Sequence, residues 1–429
     1  MYILARNVFI GFFVAFYVLL TLMEPLQVAT FSLGASDKDA VVRWIPWTLL
    51  PLSALMVYWL FRNREIRFKL HGNINIALVV LFILSVDISF RLNGDKLGLI
   101  RVVLTLLLFA LGYLLATLMK NQLTPKVVYN IILLQLILIV FVWYRFINSG
   151  IIYWTDSPLT NDIRPQIGGL IYSTELSNIL VVVLTPILLL FGQFVGVIKK
   201  ILLASSAIIL IYIIWLMGSL GTIIFLIGLY VFLAFNIKKA LFFIIILMLG
   251  YFALSIVTKF DLYTISTSDG FVGNSIDKVQ NDPRALHYLA MVDVILSDPI
   301  KENGKHYVID SLGLLPHQNV LGIWVEAGII SGVAYILIVI SCFASAFKII
   351  RDGGFTSSPT LQLSIAITVA FIALFLHLKG LVHDTWEAYD IWFFTGALFG
   401  FADNDLVVTG GFRRPKAKAI VASGVLKQN

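Results

Sequence analysis

Apolar residues along this chain come in long unbroken runs rather than alternating with polar ones, as in Ile131–Val142 (IILLQLILIVFV) and Ile208–Leu216 (IILIYIIWL). A strand crossing a bilayer alternates apolar and polar positions over about 10 residues. A helix crossing it needs about 20 predominantly apolar ones. The runs here fit the helix. They predict twelve spans, over 7–23, 44–61, 73–90, 98–119, 127–147, 172–195, 201–217, 221–237, 240–257, 320–347, 360–379 and 388–402. The first follows Arg6 as a signal peptide would, but no small-residue cleavage site precedes Glu24, so it is expected as an uncleaved anchor.

Composition strengthens this picture. Of 429 residues, 59% are hydrophobic and 13% charged, where a soluble chain is roughly a quarter charged. A water-soluble globule, a disordered chain, a disulfide scaffold and a collagen-like fibre are excluded. Twelve spans use roughly 240 residues and leave about 190 for loops and tails. The expected fold is an all-α polytopic membrane protein, one transmembrane domain over 1–429. The single cysteine, Cys342, excludes an intrachain disulfide and a cysteine metal site. No internal repeat and no duplication of the first six spans in the last six is visible.

Charge sets the expected orientation. Eighteen of the 31 Lys and Arg fall on one set of alternate short loops and tails, from Arg6 to Lys427. Eleven fall on the opposite set, and Arg101 and Lys379 lie within spans. The richer side is expected to be cytoplasmic, together with both termini and the tail 403–429. The net charge of +7 then lies at the inner membrane face and requires no nucleic acid. One segment breaks the short-loop pattern. Residues 258–319 form a long external loop with eight acidic side chains against five basic ones. A shorter external loop spans 148–171. Long loops in compact proteins are usually functional, so chemistry is sought on the outer face.

In the long loop, Asp282 suits an N-cap and Pro283 the first helical position. A helix should run to Leu296, lying along the membrane surface with Arg284, His287, Tyr288 and Met291 on one face. In isolation this is first an anchoring helix with a snorkelling arginine; its functional reading is an arginine aimed at an anionic headgroup or phosphate. Where the loop returns to the membrane stand His317 and Asn319, with Glu326 nine residues beyond His317. On a straight helix Glu326 would lie roughly 13 Å further along. A carboxylate there needs a polar interior or a basic partner. Gly328 and Gly332 form a GxxxG step suited to close helix approach. His317 can accept a proton from a sugar hydroxyl, or simply cap a helix at the interface.

Other positions carry weaker signals. Arg164 precedes Gly168-Gly169, where backbone can approach a ligand closely, and Glu175 and Asn178 follow as ligand contacts or interhelical glue. Asp87 and Arg101 are expected to form a salt bridge. Lys379, His383, Asp384 and Glu387 gather in the last external loop and can line the same cavity. Asp403-Asn404-Asp405 has the form of a nucleotide-sugar metal motif, but it opens the cytoplasmic tail and is discounted. Phosphate-binding, zincin and nucleophile-elbow motifs are absent.

The order of these segments resembles the O-antigen ligase and O-antigen polymerase superfamily of bacterial envelope enzymes. Arg164 with Gly168-Gly169, Gly218-Ser219-Leu220-Gly221, PRALHYLAMVDVILSDPI and PHQNVLGIWVEAGIISG each resemble a family segment. The resemblance implies an inner-membrane enzyme that transfers a glycan from undecaprenyl diphosphate on the periplasmic face, inverting and without a metal or other cofactor. It implies His317 as general base and Arg284 as the diphosphate ligand, with Arg164 a further contact. Arg101, His287 and Asn319 join as substrate contacts, and Glu175, Glu326 and His383 as cavity-lining groups. The implied partners are the lipid-linked oligosaccharide donor, a glycan or lipid A-core acceptor, the bilayer and a chain-length regulator protein. The chain departs from the family twice. Leu220 replaces an arginine, whose phosphate contact Arg164 or Arg101 would have to supply, and Gln318 separates His317 from Asn319. The first departure tilts the reading toward polymerase over ligase. The rival classes are a twelve-span transporter, in which a symmetric break between halves is expected, and a structural membrane partner.

Overall fold

Continuity of the apolar runs leaves their backbone polar groups only one another as partners, and the runs fold as helices. The computed structural model describes residues 11, 13–22, 48–56, 58, 74–94, 99–122, 124–148, 152–156, 163–167, 173–217, 222, 225, 226, 228, 229, 283–305, 307–312, 319–353, 360–380 and 388–403. In chain order its helices are α1 (Phe13–Leu22), α2 (48–56), α3 (Ile74–Leu92), α4 (Leu99–Gln122), α5 (Pro125–Asn148), α6 (Ser173–Leu190), α7 (Val197–Met217), α8 (Pro283–Ser297), α9 (Tyr307–Leu312), α10 (Asn319–Gly353), α11 (Leu361–Gly380) and α12 (Tyr389–Asp403). Six of them, α3, α5, α6, α7, α10 and α11, contain stretches long and apolar enough to cross a bilayer. The chain is therefore a helical membrane protein. Of the expected eighth span, residues 222, 225, 226, 228 and 229 are described and helical; the ninth, 240–257, lies outside the described residues.

Local signals explain several helix starts. Thr124 caps α5, its hydroxyl accepting the Val127 N–H at 3.4 Å, and Pro125 takes the first helical position. Thr360 caps α11 in the same way through Leu363 N–H at 3.3 Å. Helix α8 begins at Pro283 and runs to Ser297, the bounds expected from Pro283 and Leu296 within a residue.

The structure is nearly all helical, and two short strands pair within the segment expected as the 148–171 loop. Ile152–Asp156 (β1) and Ile163–Ile167 (β2) pair antiparallel, with Thr155 opposite Arg164 and Trp154 opposite Pro165.

Side-chain pairings fix how the helices run. Asn178 of α6 meets Lys379 of α11, and Gln193 just after α6 meets Ser364 at the start of α11, so these two are antiparallel. Ser85 meets Ser331 and Phe82 meets Tyr335, so α3 and α10 are antiparallel. Helices α4 and α12 run parallel: Arg101 lies over the Tyr389 ring, Phe109 packs on Phe399, and Tyr113 donates to Asp403. Their approach is closer than side chains permit. A Cβ at Gly112 would collide with the Phe393 carbonyl oxygen, and one at Gly396 with that of Phe109. Small residues at such a crossing let backbones touch, which is how apolar helices gain packing contacts in lipid.

Helices α6 and α11 are central and buried on most faces, whereas α7 turns Val197, Ile198, Ile201 and Ile209 outward. The core of the bundle holds Phe16, Phe82, Phe375, Trp392 and Phe399, each fully buried. The pairings gather the start of α4, α6 and α12 and the close of α3 and α11 at one end of the bundle.

Candidate functional site

Gly328 shapes this end of the bundle. Its φ of 77° is left-handed, open to glycine and strained for other residues, and it divides α10 into Asn319–Ala327 and a second part from Ile329. Across the break the chain folds back. Trp324 packs on Gly332, where a Cβ would sit 2.9 Å from the Trp324 Cβ. Asn319 Nδ2 donates to the Tyr335 hydroxyl at 2.8 Å. On a straight helix those last two residues would stand about 24 Å apart. The first part of α10 is thus a half-helix lying back along the second.

This overturns two expectations. Residues 320–347 are not one straight span, so the distance of Glu326 along a straight helix does not apply. The glycine pair also does not join two separate helices: Gly328 makes the turn, and Gly332 lets the half-helix lie close by leaving room for Trp324. A spacing rule for continuous helices fails where backbone conformation changes hand.

The segment after α8 closes the turn. The last carbonyls of the half-helix lack intrahelical donors. Asn303 Nδ2 donates to the Val325 carbonyl at 2.8 Å, and Gly304 N–H to that of Glu326 at 3.0 Å. Trp324 Nε1 reaches back to the Pro299 carbonyl at 3.0 Å. Beneath these bonds Met291 of α8, Val308 of α9 and Val325 form a small buried cluster, flanked by Tyr288 and Leu321. The helix that begins with Pro283-Arg284 is therefore bound to the half-helix that begins at Asn319. Its inner face rests on protein, while Leu289 and Leu296 remain exposed.

Deeper in, a polar seam crosses the apolar core. Ser85 bonds Ser331 at 2.9 Å. His377 of α11 is buried, with Nε2 3.0 Å from Thr395 Oγ1 and 3.3 Å from Cys342 Sγ. The Tyr335 ring lies 6.2 Å from the imidazole, which links this group to Asn319. Among the described residues no three His, Cys, Asp or Glu side chains converge as a metal site requires.

The cations divide among several partners. Buried Lys379 donates to the Asn178 side-chain oxygen, so Asn178 acts as interhelical glue. The Arg101 guanidinium lies 6.0 Å from the Tyr389 ring centroid. Among the described residues, Asp87 is ion-paired to Arg91 at 2.8 Å, which corrects the expected Asp87–Arg101 bridge. The reason is proximity: Arg91 is one turn along the same helix.

Of the residues proposed from sequence, Asn319 and Glu326 lie on the half-helix and are buried, and Arg101 stands at the start of α4. Arg284 and His287 occupy the first turns of α8, Arg164 the second position of β2, and Glu175 the first turn of α6. His317 and His383 lie outside the described residues, as do Asp384, Glu387, Leu220 and all of the tail beyond Asp403. Tyr335 and His377 were not found by sequence reasoning. Each was visible there as a polar group in an apolar run, a costly placement that needs partners.

No protein-family model matches the chain, and no curated protein sequence matches it.

Proposed function

We propose that this protein is a membrane glycosyltransferase acting on a glycan carried by undecaprenyl diphosphate, most simply a polymerase that joins repeat units. The observation that supports it is the Met291–Val308–Val325 cluster, which ties the helix opening with Arg284 to the half-helix opening with Asn319. Two motif segments that are separate in sequence thereby share one buried unit. In this reading Arg284 binds the donor diphosphate, since guanidinium forks match phosphate oxygens bidentately. Arg101 and Arg164 add positive charge toward the leaving group, as developing anionic charge is best met by preorganised donors. His317 takes the proton from the acceptor hydroxyl as that oxygen attacks the anomeric carbon, and the diphosphate leaves from the opposite face. The protein sits in the bacterial inner membrane with this end of the bundle toward the periplasm and both termini in the cytoplasm. Its twelve spans enclose the 258–319 loop on that side.

The ligase reading differs only in acceptor. Purified protein given undecaprenyl-diphosphate oligosaccharide separates the two: a ladder of lipid-linked products without lipid A-core marks a polymerase, and product only with core marks a ligase. Absence of turnover in both arms refutes glycosyl transfer. The break at Gly328 favours one rival, because transporters build their sites on discontinuous helices. Solute uptake into vesicles without glycan turnover is the outcome that selects it.

A further inference from the structure

The turn between α6 and α7 is built inside out. Its polar side chains lean on the protein. Gln193 Nε2 donates to Ser364 Oγ of α11 at 3.1 Å. The Lys199 ammonium lies 5.0 Å from the Tyr129 ring centroid, and that of Lys200 5.9 Å from the Phe191 ring centroid. Phe194 turns in, buried and edge-on to Tyr129 at 5.8 Å. The aliphatic side chains instead face outward: Val195, Val197 and Ile198 are 85%, 74% and 77% exposed. A turn that ends in water shows the reverse order, with polar groups out and apolar groups in.

Exposed apolar side chains gathered in one place mark an interaction surface. What covers this one follows from its neighbours. The outward face continues along α7 through Ile201 and Ile209, on a helix long and apolar enough to cross a bilayer. The patch is thus continuous with a lipid-facing surface. Charge points the same way. No Asp or Glu occurs in 124–148 or 191–217, the segments that form α5, the turn and α7, while Lys126, Lys199 and Lys200 all stand at this end. An apolar patch beside lysines complements the boundary between acyl chains and anionic headgroups.

We propose that the α6–α7 turn is seated in the bilayer at the headgroup boundary, with Val195, Val197 and Ile198 against acyl chains and Lys199 and Lys200 on the phosphates of anionic phospholipids. A lysine covers apolar surface with its methylenes and carries its charge to the interface, so both contacts are made at once. In the orientation proposed above this is the cytoplasmic leaflet, and the contact holds whichever reaction the protein performs. The seat fixes the depth of the central helix α6. Asn178 stands roughly 22 Å of helix from Gln193, against a hydrocarbon core of about 30 Å. The Asn178–Lys379 pair then lies inside the apolar layer, a depth at which an ammonium requires such a partner.

The test reads depth directly. Val195→Cys and Ile209→Cys each carry a nitroxide in full-length protein, in nanodiscs of phosphatidylcholine and phosphatidylglycerol. Cys342 is buried, and the unsubstituted protein gives its labelling background. At both positions oxygen, which partitions into lipid, should relax the label more than a water-soluble nickel chelate does, with the larger ratio at Ile209. Relaxation of the Val195 label mainly by the chelate places the turn in water and overturns the proposal. So does shielding of that label from both relaxants, which marks a second copy of the chain on the patch. Spin-labelled lipids read the headgroup contact. The protein should retain phosphatidylglycerol over phosphatidylcholine, and Lys199→Gln combined with Lys200→Gln should lower that preference about fivefold or more. An undiminished preference in the folded double variant overturns the headgroup contact.

Discussion

Asn319 donates a 2.8 Å hydrogen bond to the Tyr335 hydroxyl from within what the sequence presents as one uninterrupted helix. The bond exists because the chain reverses at Gly328, and it brings the buried Asn319 amide beside the aromatic floor of Phe82 and Tyr335. A buried amide left without its partner loses more than the bond itself, because its solvation is not restored. Tyr335→Phe should therefore destabilise the protein by about 1–3 kcal/mol. Thermal unfolding in detergent measures this, and an unchanged midpoint would show that the hairpin is held without the bond.

Gly328→Ala should be more damaging than an ordinary glycine replacement. A left-handed backbone costs an L-residue roughly 1–2 kcal/mol, and the new Cβ would lie 2.8 Å from Glu302 Cγ. The two contributions are separable. Glu302→Ala in the Gly328→Ala background should recover the steric part and leave the backbone part, which a double-mutant cycle of unfolding midpoints reads directly.

The crossing of α4 and α12 tolerates no side chain. Gly112→Leu and Gly396→Leu would each drive a side chain into the opposing backbone, and core overpacking of this kind costs about 1–3 kcal/mol or more. Both should give little monodisperse protein in detergent. Gly192→Ala, at a position where a Cβ meets nothing within 4 Å, should behave as the parent in size-exclusion chromatography. Equal behaviour of all three would refute the close crossing.

For the proposed chemistry, His317→Ala and Arg284→Ala should each lower glycan extension by roughly 100-fold or more, the usual scale for losing a general base or a phosphate clamp. Surface-polysaccharide banding in cells and expression by immunoblot are read together. Normal banding with normal expression in either variant rejects the assigned role.

The hydrophobic pattern carried most of the fold because it follows from the bilayer itself. Runs such as Ile131–Val142 have no alternative to a helix, and they lie in α5 as expected. Helix α8 was legible too, from Pro283 and the apolar spacing after it. What escaped was conformation that depends on distant partners. Gly328 and Gly332 read as a helix-contact motif because nothing local marks a left-handed turn; the turn is stabilised by Asn303 and Gly304, more than twenty residues earlier. Asp87 was matched to the wrong arginine because two cations lay in range and only geometry separates them. Tyr335 and His377 were overlooked because each lies singly among apolar neighbours, and their partners come from other helices.

The crossing of Gly112 with Gly396 also sets a timetable for biogenesis. A ribosome delivers α4 long before α12, yet these are the helices whose backbones touch. Until α12 emerges, the glycine face of α4 has only lipid against it, and the core aromatics Phe393, Phe394 and Phe399 are not yet present. Closure of this crossing therefore waits until α12 has been made. A nascent chain arrested before Tyr389 exposes an unfilled seam rather than a finished smaller protein, which makes such fragments natural substrates for membrane quality control.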